Sequence, residues 1–178
     1  MRQTWPATRA PDMSEKLTPF VRDVVLPAGP DVVPRLAEAA CSFRLAYHPS
    51  PIHRWGIFAM EPIPARRRVI EYTGERIKPD EVRRRGVRPR IYIFWVSPRV
   101  AIDGAIGGSG AEFINHSCAP NLIARKRHGR IHLVSLRPIE AGEELLLDYQ
   151  VSGDAPLTPC RCGTPQCRGY LNRQDDLL

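Results

Sequence analysis

Three cysteines near the C-terminus, Cys160, Cys162 and Cys167, are spaced C-x-C-x4-C in the run PCRCGTPQCRGYL. Three thiolates this close suit tetrahedral zinc, and Gly163 and Pro165 let the loop wrap the ion. The run lacks a fourth ligand, for which Cys118, Cys41, His116 and His128 are the candidates. Free or disulfide-bonded cysteines are the plainer alternative. The five cysteines are an odd number, and the tight spacing fits metal in a reducing compartment better than disulfides. A second group, FINHSCAPN at residues 113–121, sets Asn115, His116, Ser117, Cys118 and Asn121 beside an apolar strand end. Polar side chains there are costly unless hydrogen-bonded. They serve either a ligand or an Asx-type turn before Pro120. A third, GEELLLDY at residues 142–149, is a turn, two acids and a buried strand that ends in Asp148 and Tyr149. On its own, a strand-end tyrosine is most often a packing residue. A fourth is RWGIFA at residues 54–59, followed by EYTGE at residues 71–75. Its glycine at a strand start lets a ligand approach the backbone.

Short strands must position these groups. Residues 43–47, 56–59, 69–72, 91–96, 100–103, 131–136 and 144–149 read as strands from their alternation and β-branched or aromatic content. One helix runs from Pro79 through Val82 and Arg85 to Gly86, with proline at its start and glycine at its end. Many short strands and few helices indicate a mostly β domain. Residues 1–40 form a proline-punctuated arm with a short helix near residues 32–40, and no chemistry is assigned to it. No GxGxxG follows a strand and no Walker lysine loop is present, which argues against Rossmann and P-loop enzymes.

The bulk properties fit this reading. The 178 residues suit one domain plus an appendage and can bury a real core. Hydrophobic residues make up 43% and charged residues 25%, a soluble globular balance. No apolar run approaches the roughly 20 residues that span a bilayer, so no membrane partner is expected. Residues 1–20 show no secretory signal. The net charge is +7, and 11 of the 26 lysines and arginines fall between Arg66 and Arg99. Such a cluster meets nucleic acid or an acidic protein face, or is simply a solvated surface.

Taken in order, HRWGIFA, IEYTGE, FINHSCAPN, GEELLLDY and CRCGTPQCRGYL resemble the SET-domain protein-lysine methyltransferase family with a zinc-binding post-SET segment, over about residues 41–173. The resemblance implies a mostly β fold of short sheets around a knot-like core, with few short helices and a C-terminal zinc-bound loop. It implies an N-terminal arm at 1–40, a SET domain at 41–152 and a post-SET tail at 153–178. It implies transfer of a methyl group from S-adenosyl-L-methionine to the side-chain amine of a lysine in a histone or other basic protein. Arg54, Trp55, Gly56, Asn115 and His116 match the cofactor-binding positions, and Tyr149 matches the tyrosine at the transfer centre. Tyr72 matches an aromatic or polar wall of the lysine channel, and Tyr92 is similar to a tyrosine near the active site. Cys118 joins Cys160, Cys162 and Cys167 as the ligands of a structural Zn2+. Glu71, Glu75, Glu143, Glu144 and Asp148 offer an acidic groove for a basic tail. The expected partners are a protein substrate and, through the basic patch, nucleic acid, with the enzyme itself a monomer. Its expected place is the cytoplasm in a bacterium and chromatin in a eukaryote. Glu112 departs from the pattern, because many family members have arginine there. No cysteine-rich pre-SET region is present, so Cys41 is expected to be buried. Two other readings remain: a catalytically silent SET scaffold that only binds, and a basic zinc-bearing nucleic-acid binder. The presence of Tyr149, Asn115 and His116 argues against the first, and the lack of a standard finger spacing argues against the second.

Overall fold

Three sheets carry the architecture in the computed structural model, which describes residues 35–86, 91–153 and 155–173. β1 (Leu45–Pro49) and β2 (Trp55–Ala59) form an antiparallel pair. β3 (Arg68–Tyr72) joins the central sheet, while β4 (Glu75–Ile77) leads into α1 (Pro79–Arg85). β5 (Ile93–Ser97) and β6 (Val100–Asp103) complete a three-stranded sheet of order β4-β6-β5. The central sheet adds β7 (Asn115–His116), β8 (Leu122–Arg127), β9 (Arg130–Ser135) and β10 (Leu146–Leu147). Its order is β3-β9-β8-β10-β7. Strand β10 thus enters between β7 and β8, which follow one another in sequence, and runs parallel to both. That insertion sets the segment ending in Tyr149 between the two strands that residues 117–121 connect.

The core lies where the inward faces of these sheets meet. Ile57, Ile63, Val69, Ile70, Ile114, Leu122, Ile131, Leu133, Ile139 and Leu145 are fully buried. Along β9 the alternation is clean: Ile131 and Leu133 point in, while Arg130 and His132 point out. β8 is absent from the strands expected from sequence, because only its first residues are apolar. It pairs with all of β9 around His128 and Gly129, whose φ angles of 49° and 73° fit a two-residue hairpin turn.

Other expectations need correction. The helix near residues 32–40 reduces, within the described residues, to a single 3-10 turn at Glu38–Ala40; residues 1–34 of the arm lie outside them. The strand at 144–149 is regular only at Leu146–Leu147, and Glu144 bridges instead to Phe58 of β2. Cys41 is half-buried, bridging to Ile70 at the rim of the core. In α1, Gly86 has an ordinary helical φ of −64°, so its left-handed freedom is unused. The basic run 66–99 is not all on the surface. Arg85 is 8% exposed and donates to Glu75, Glu81 and Asp103, which ties α1 to β4 and β6. Arg88 and Arg90 lie outside the described residues.

Candidate active site and thiolate cluster

The pairing of β7 with β10 sets Asn115 opposite Leu146 and His116 opposite Leu147, two residues before Tyr149. Both polar side chains are buried, so each must be satisfied. Asn115 Nδ2 donates to Glu144 Oε1 at 2.7 Å and to the Trp55 carbonyl at 3.0 Å, with the His53 carbonyl at 3.5 Å. It therefore ties the loop of Arg54, Trp55 and Gly56 to the central sheet. Glu144 is fixed in turn by Ser50 Oγ at 3.0 Å. Arg54 takes a left-handed φ of 41° and leaves its side chain exposed, while Gly56 is buried where any Cβ would strike the Glu144 carboxylate. Asn115 Oδ1 accepts from no described residue. A buried amide oxygen without a donor is the kind of atom a ligand's N–H completes.

His116 accepts the Tyr149 N–H at Nδ1, 3.2 Å away, and its Nε2 lies 3.5 Å from Cys118 Sγ. Burial lowers its pKa to about 4, so the ring is neutral at pH 7. The Tyr149 ring packs on it edge-on at 5.3 Å. Tyr149 is 40% exposed as a residue, and its hydroxyl donates to the Ile114 carbonyl at 2.8 Å in a part-buried hydrogen bond. Burial, then Tyr92 and Glu144, hold this phenol well above its usual range. Tyr72 is 5% exposed and donates to the Tyr92 carbonyl at 2.7 Å. Its phenol is raised by burial and by a set of neighbours that includes Tyr149 and Tyr92, so the structure brings the three tyrosines together. Phe94 packs against Tyr72 and Phe113 against Tyr92, which surrounds these rings with further aromatic walls.

Four sulfurs gather beside this group. The Sγ atoms of Cys118, Cys160, Cys162 and Cys167 all lie within 4.8 Å of one another. The Cys118–Cys160 separation is 3.7 Å. That is close to the roughly 3.8 Å edge of a tetrahedron with metal–sulfur bonds of about 2.3 Å. Burial opposes ionisation of Cys162, but N–H groups of Cys118 and Thr164 and the Thr164 hydroxyl outweigh it and bring the thiol down to about 5. Cys160 is pushed up to about 12 by burial and then by the crowding of its neighbour thiols. Without a cation four thiolates cannot share this space; a zinc ion fits both the spacing and the charge. Cys41, His128 and the His116 ring are not part of the four-sulfur set.

Sequence reasoning missed the residues that connect the parts. Arg168 grips Asp148 with two hydrogen bonds, of 2.7 and 2.8 Å, from inside the cysteine loop. Burial opposes ionisation of Asp148, but this grip holds its carboxyl below the usual range. Glu144, in sequence only one member of an acidic run, proves to be the carboxylate that anchors Asn115. Four of the five acids expected to line a groove are paired with arginines. Glu71 meets Arg130, Glu75 meets Arg85, Glu143 meets Arg137, and Asp148 meets Arg168.

Glu112 fills the position where arginine was expected. Its carboxylate turns back to accept the Gly110 N–H at 2.9 Å and packs so tightly on Gly108 that a Cβ there would collide with it. Burial, opposed by that N–H and aided by Asp103, pushes the carboxyl up to about 7. A carboxyl raised on folding contributes stability fully present below its ordinary pKa and lost as pH rises through the folded value. Glu112→Gln should therefore gain on the parent as pH rises from 4 to 8, by about 2 kcal/mol once its partial exposure is allowed for. Urea unfolding at both pH values measures the difference, and an equal gain at both would refute it.

The SET-domain family model matches residues 54–150. An H3 lysine-4-specific histone-lysine N-methyltransferase of Schizosaccharomyces pombe is 41% identical over 169 residues, covering 89% of this chain and 18% of that protein. The histone-lysine N-methyltransferase SETD1A of Homo sapiens is 40% identical over 139 residues, covering 72% and 8%. The chain thus spans less than a fifth of the length of these relatives. The crystal structure of KRYPTONITE in complex with mCHG DNA and SAH superposes with a TM-score of 0.64 at 31% identity, covering 74% of this chain and 29% of that one. The match covers more than half of the chain and falls on the residues around Tyr149, Asn115 and His116, and the chain belongs to the SET-domain family.

Proposed function

We propose that the chain is a protein-lysine methyltransferase that uses S-adenosyl-L-methionine and acts first on a histone H3 tail. The observation that carries this reading is the Tyr149 hydroxyl, locked on the Ile114 carbonyl beside Asn115 and His116. The names of the relatives supply the substrate class, and the fourth residue of H3, a lysine, is the first position to test.

When bound, S-adenosylmethionine supplies a methyl group on a positively charged sulfur, which is a good leaving group. The loop of Arg54, Trp55 and Gly56, with Asn115 and His116, would hold it. The protein's task is to present a neutral amine in line. Free lysine has a pKa of about 10.4, so its nucleophilic form is scarce at pH 7. Tyr72, Tyr92, Phe94 and Phe113 form an aromatic wall that disfavours the ammonium by desolvation. The Tyr72 and Tyr149 hydroxyls have spent their protons on carbonyls, so their oxygens accept N–H from the amine and orient its lone pair. Alignment of this kind can supply several kcal/mol, about 7–11 at best. Cys118, Cys160, Cys162 and Cys167 would hold a structural zinc that fixes the tail against this site.

Radiolabelled S-adenosylmethionine with recombinant H3, and with H3 whose fourth residue is changed from lysine to arginine, tests the reading. Label on H3 that falls with the substitution is expected. Cofactor binding without transfer to H3, to other core histones or to a host lysate would replace this reading with the silent binding scaffold.

A further inference from the structure

We infer that the outer face of the β8–β9 hairpin is a docking surface for the sugar–phosphate backbone of duplex nucleic acid. The sequence pointed to the run 66–99 for such a role, but Arg85 is buried on carboxylates, and Arg68 and Arg76 of that run meet the β8–β9 hairpin. The hairpin's own cations converge with them. Arg125, Arg127, Arg130 and His132 take alternate, outward positions on the two strands. Register sets Arg125 opposite His132 and Arg127 directly opposite Arg130. Arg68 joins Arg127, His128, Arg130 and His132 in lining one shallow concavity. Arg76 reaches over from β4 and donates to the Gly129 carbonyl at the turn, 2.9 Å away.

Like charges facing one another across a strand pair are destabilising. Here they have almost no internal relief. Among the described residues Glu71 alone approaches, 3.5 Å from Arg130, and no described acid pairs with Arg68, Arg125 or Arg127. Elsewhere on the molecule Arg44, Arg85, Arg137 and Arg168 each have a carboxylate partner. The hairpin therefore holds a concentrated positive field that an external polyanion relieves.

The arrangement favours nucleic acid over other polyanions. Guanidinium groups match phosphate oxygens in bidentate geometry. Outward side chains recur about every 7 Å along each strand, giving an extended row that suits a continuous line of charge. The outward positions near the turn carry arginines and His132 and no Phe, Tyr, Trp, Leu, Ile or Val, the side chains that a protein hot spot or a membrane surface would use as an anchor. The inner face of the same sheet carries Tyr72, paired with Ile131. Bound nucleic acid would then lie behind the tyrosine group rather than over it. This inference does not rest on the methyltransferase reading.

Fluorescence anisotropy of a labelled duplex DNA with the full chain, over a series of salt concentrations, tests it. Three or four neutralised phosphates should give a slope of log affinity against log salt of about −3 to −4. Arg127→Gln with Arg130→Gln should flatten that slope by about 2 and weaken binding about tenfold or more near 0.1 M salt. Because that pair relieves like-charge repulsion, the variant should unfold at the same temperature as the parent or higher, so lost binding cannot be lost folding. Arg44→Gln with Arg99→Gln, which removes the same charge elsewhere, should change affinity less than about threefold. Absence of binding, equal weakening by both variants, or competition by polyglutamate as strong as by unlabelled DNA at equal charge would each overturn the proposal.

Discussion

Replacing Tyr149 with phenylalanine is expected to lower the rate of methyl transfer by about 100- to 1,000-fold, the usual cost of removing one preorganised polar group from a reacting centre. Cofactor affinity should change little. The argument is geometric. The ring is held by His116 at 5.3 Å and its backbone N–H by His116 Nδ1, and neither contact uses the hydroxyl. The variant therefore keeps the shape of the site and loses one oxygen. Loss of the hydroxyl leaves the Ile114 carbonyl without its donor, at a stability cost of about 1 kcal/mol, which is too small to unfold the domain. Single-turnover rates with saturating cofactor measure the effect. A variant retaining a third of the parent's rate would remove Tyr149 from the transfer centre.

The same tyrosine makes a prediction about pH. Burial holds its phenol well above the ordinary range, so it does not ionise at any workable pH and cannot act as a base. Loss of a proton from the substrate lysine then governs the profile, and the rate should climb from pH 7 to 9. The residual activity of Tyr149→Phe should climb in parallel. A profile that flattens in the variant would mean that the tyrosine itself titrates.

How much of this was legible beforehand depends on the range of each interaction. The cysteine loop was readable because C-x-C-x4-C is local, and its fourth sulfur came only from a family resemblance. The strands carrying Ile57, Ile70 and Ile131 were readable because one face of each is apolar. β8 was not, since Arg125, Lys126 and Arg127 give no apolar alternation; its strand character comes from β9 and from a turn at His128 and Gly129. The pairing of the acids was hidden for a related reason. Charge in a sequence says nothing about pairing, and Glu71, Glu75, Glu143 and Asp148 each meet an arginine distant in the chain or across a turn. Arg168 was invisible because its partner Asp148 lies 20 residues away and on a different segment.

Arg168 carries the second large effect. Its backbone N–H points at Cys118 Sγ, 3.4 Å away, and its guanidinium holds both oxygens of Asp148. It also donates to the Leu171 and Asn172 carbonyls, so one side chain fastens the cysteine loop, the tail and the residue before Tyr149. Both members of the pair are less than one-fifth exposed, so the bond is shielded from solvent. Opening the sulfur cluster should release Arg168, and with it the position of Tyr149. Removing the metal with a chelator is thus expected to abolish transfer by shifting the site, although none of the four cysteine sulfurs takes part in the reaction. Arg168→Gln separates the two roles. It leaves all four sulfurs in place, so zinc content should stay at one per chain, the number a four-thiolate site takes. The clamp on Asp148 is lost, and the maximal rate should fall about 10- to 100-fold, within the cost of misplacing a reacting group by an ångström. Arg168→Lys, which keeps the charge but not the two-pronged geometry, should recover only part of that rate. Zinc content by atomic absorption beside the maximal rate decides the matter. A full rate with Gln at position 168 would make the link between cluster and tyrosine purely architectural, and loss of zinc in that variant would place the fault in the cluster itself.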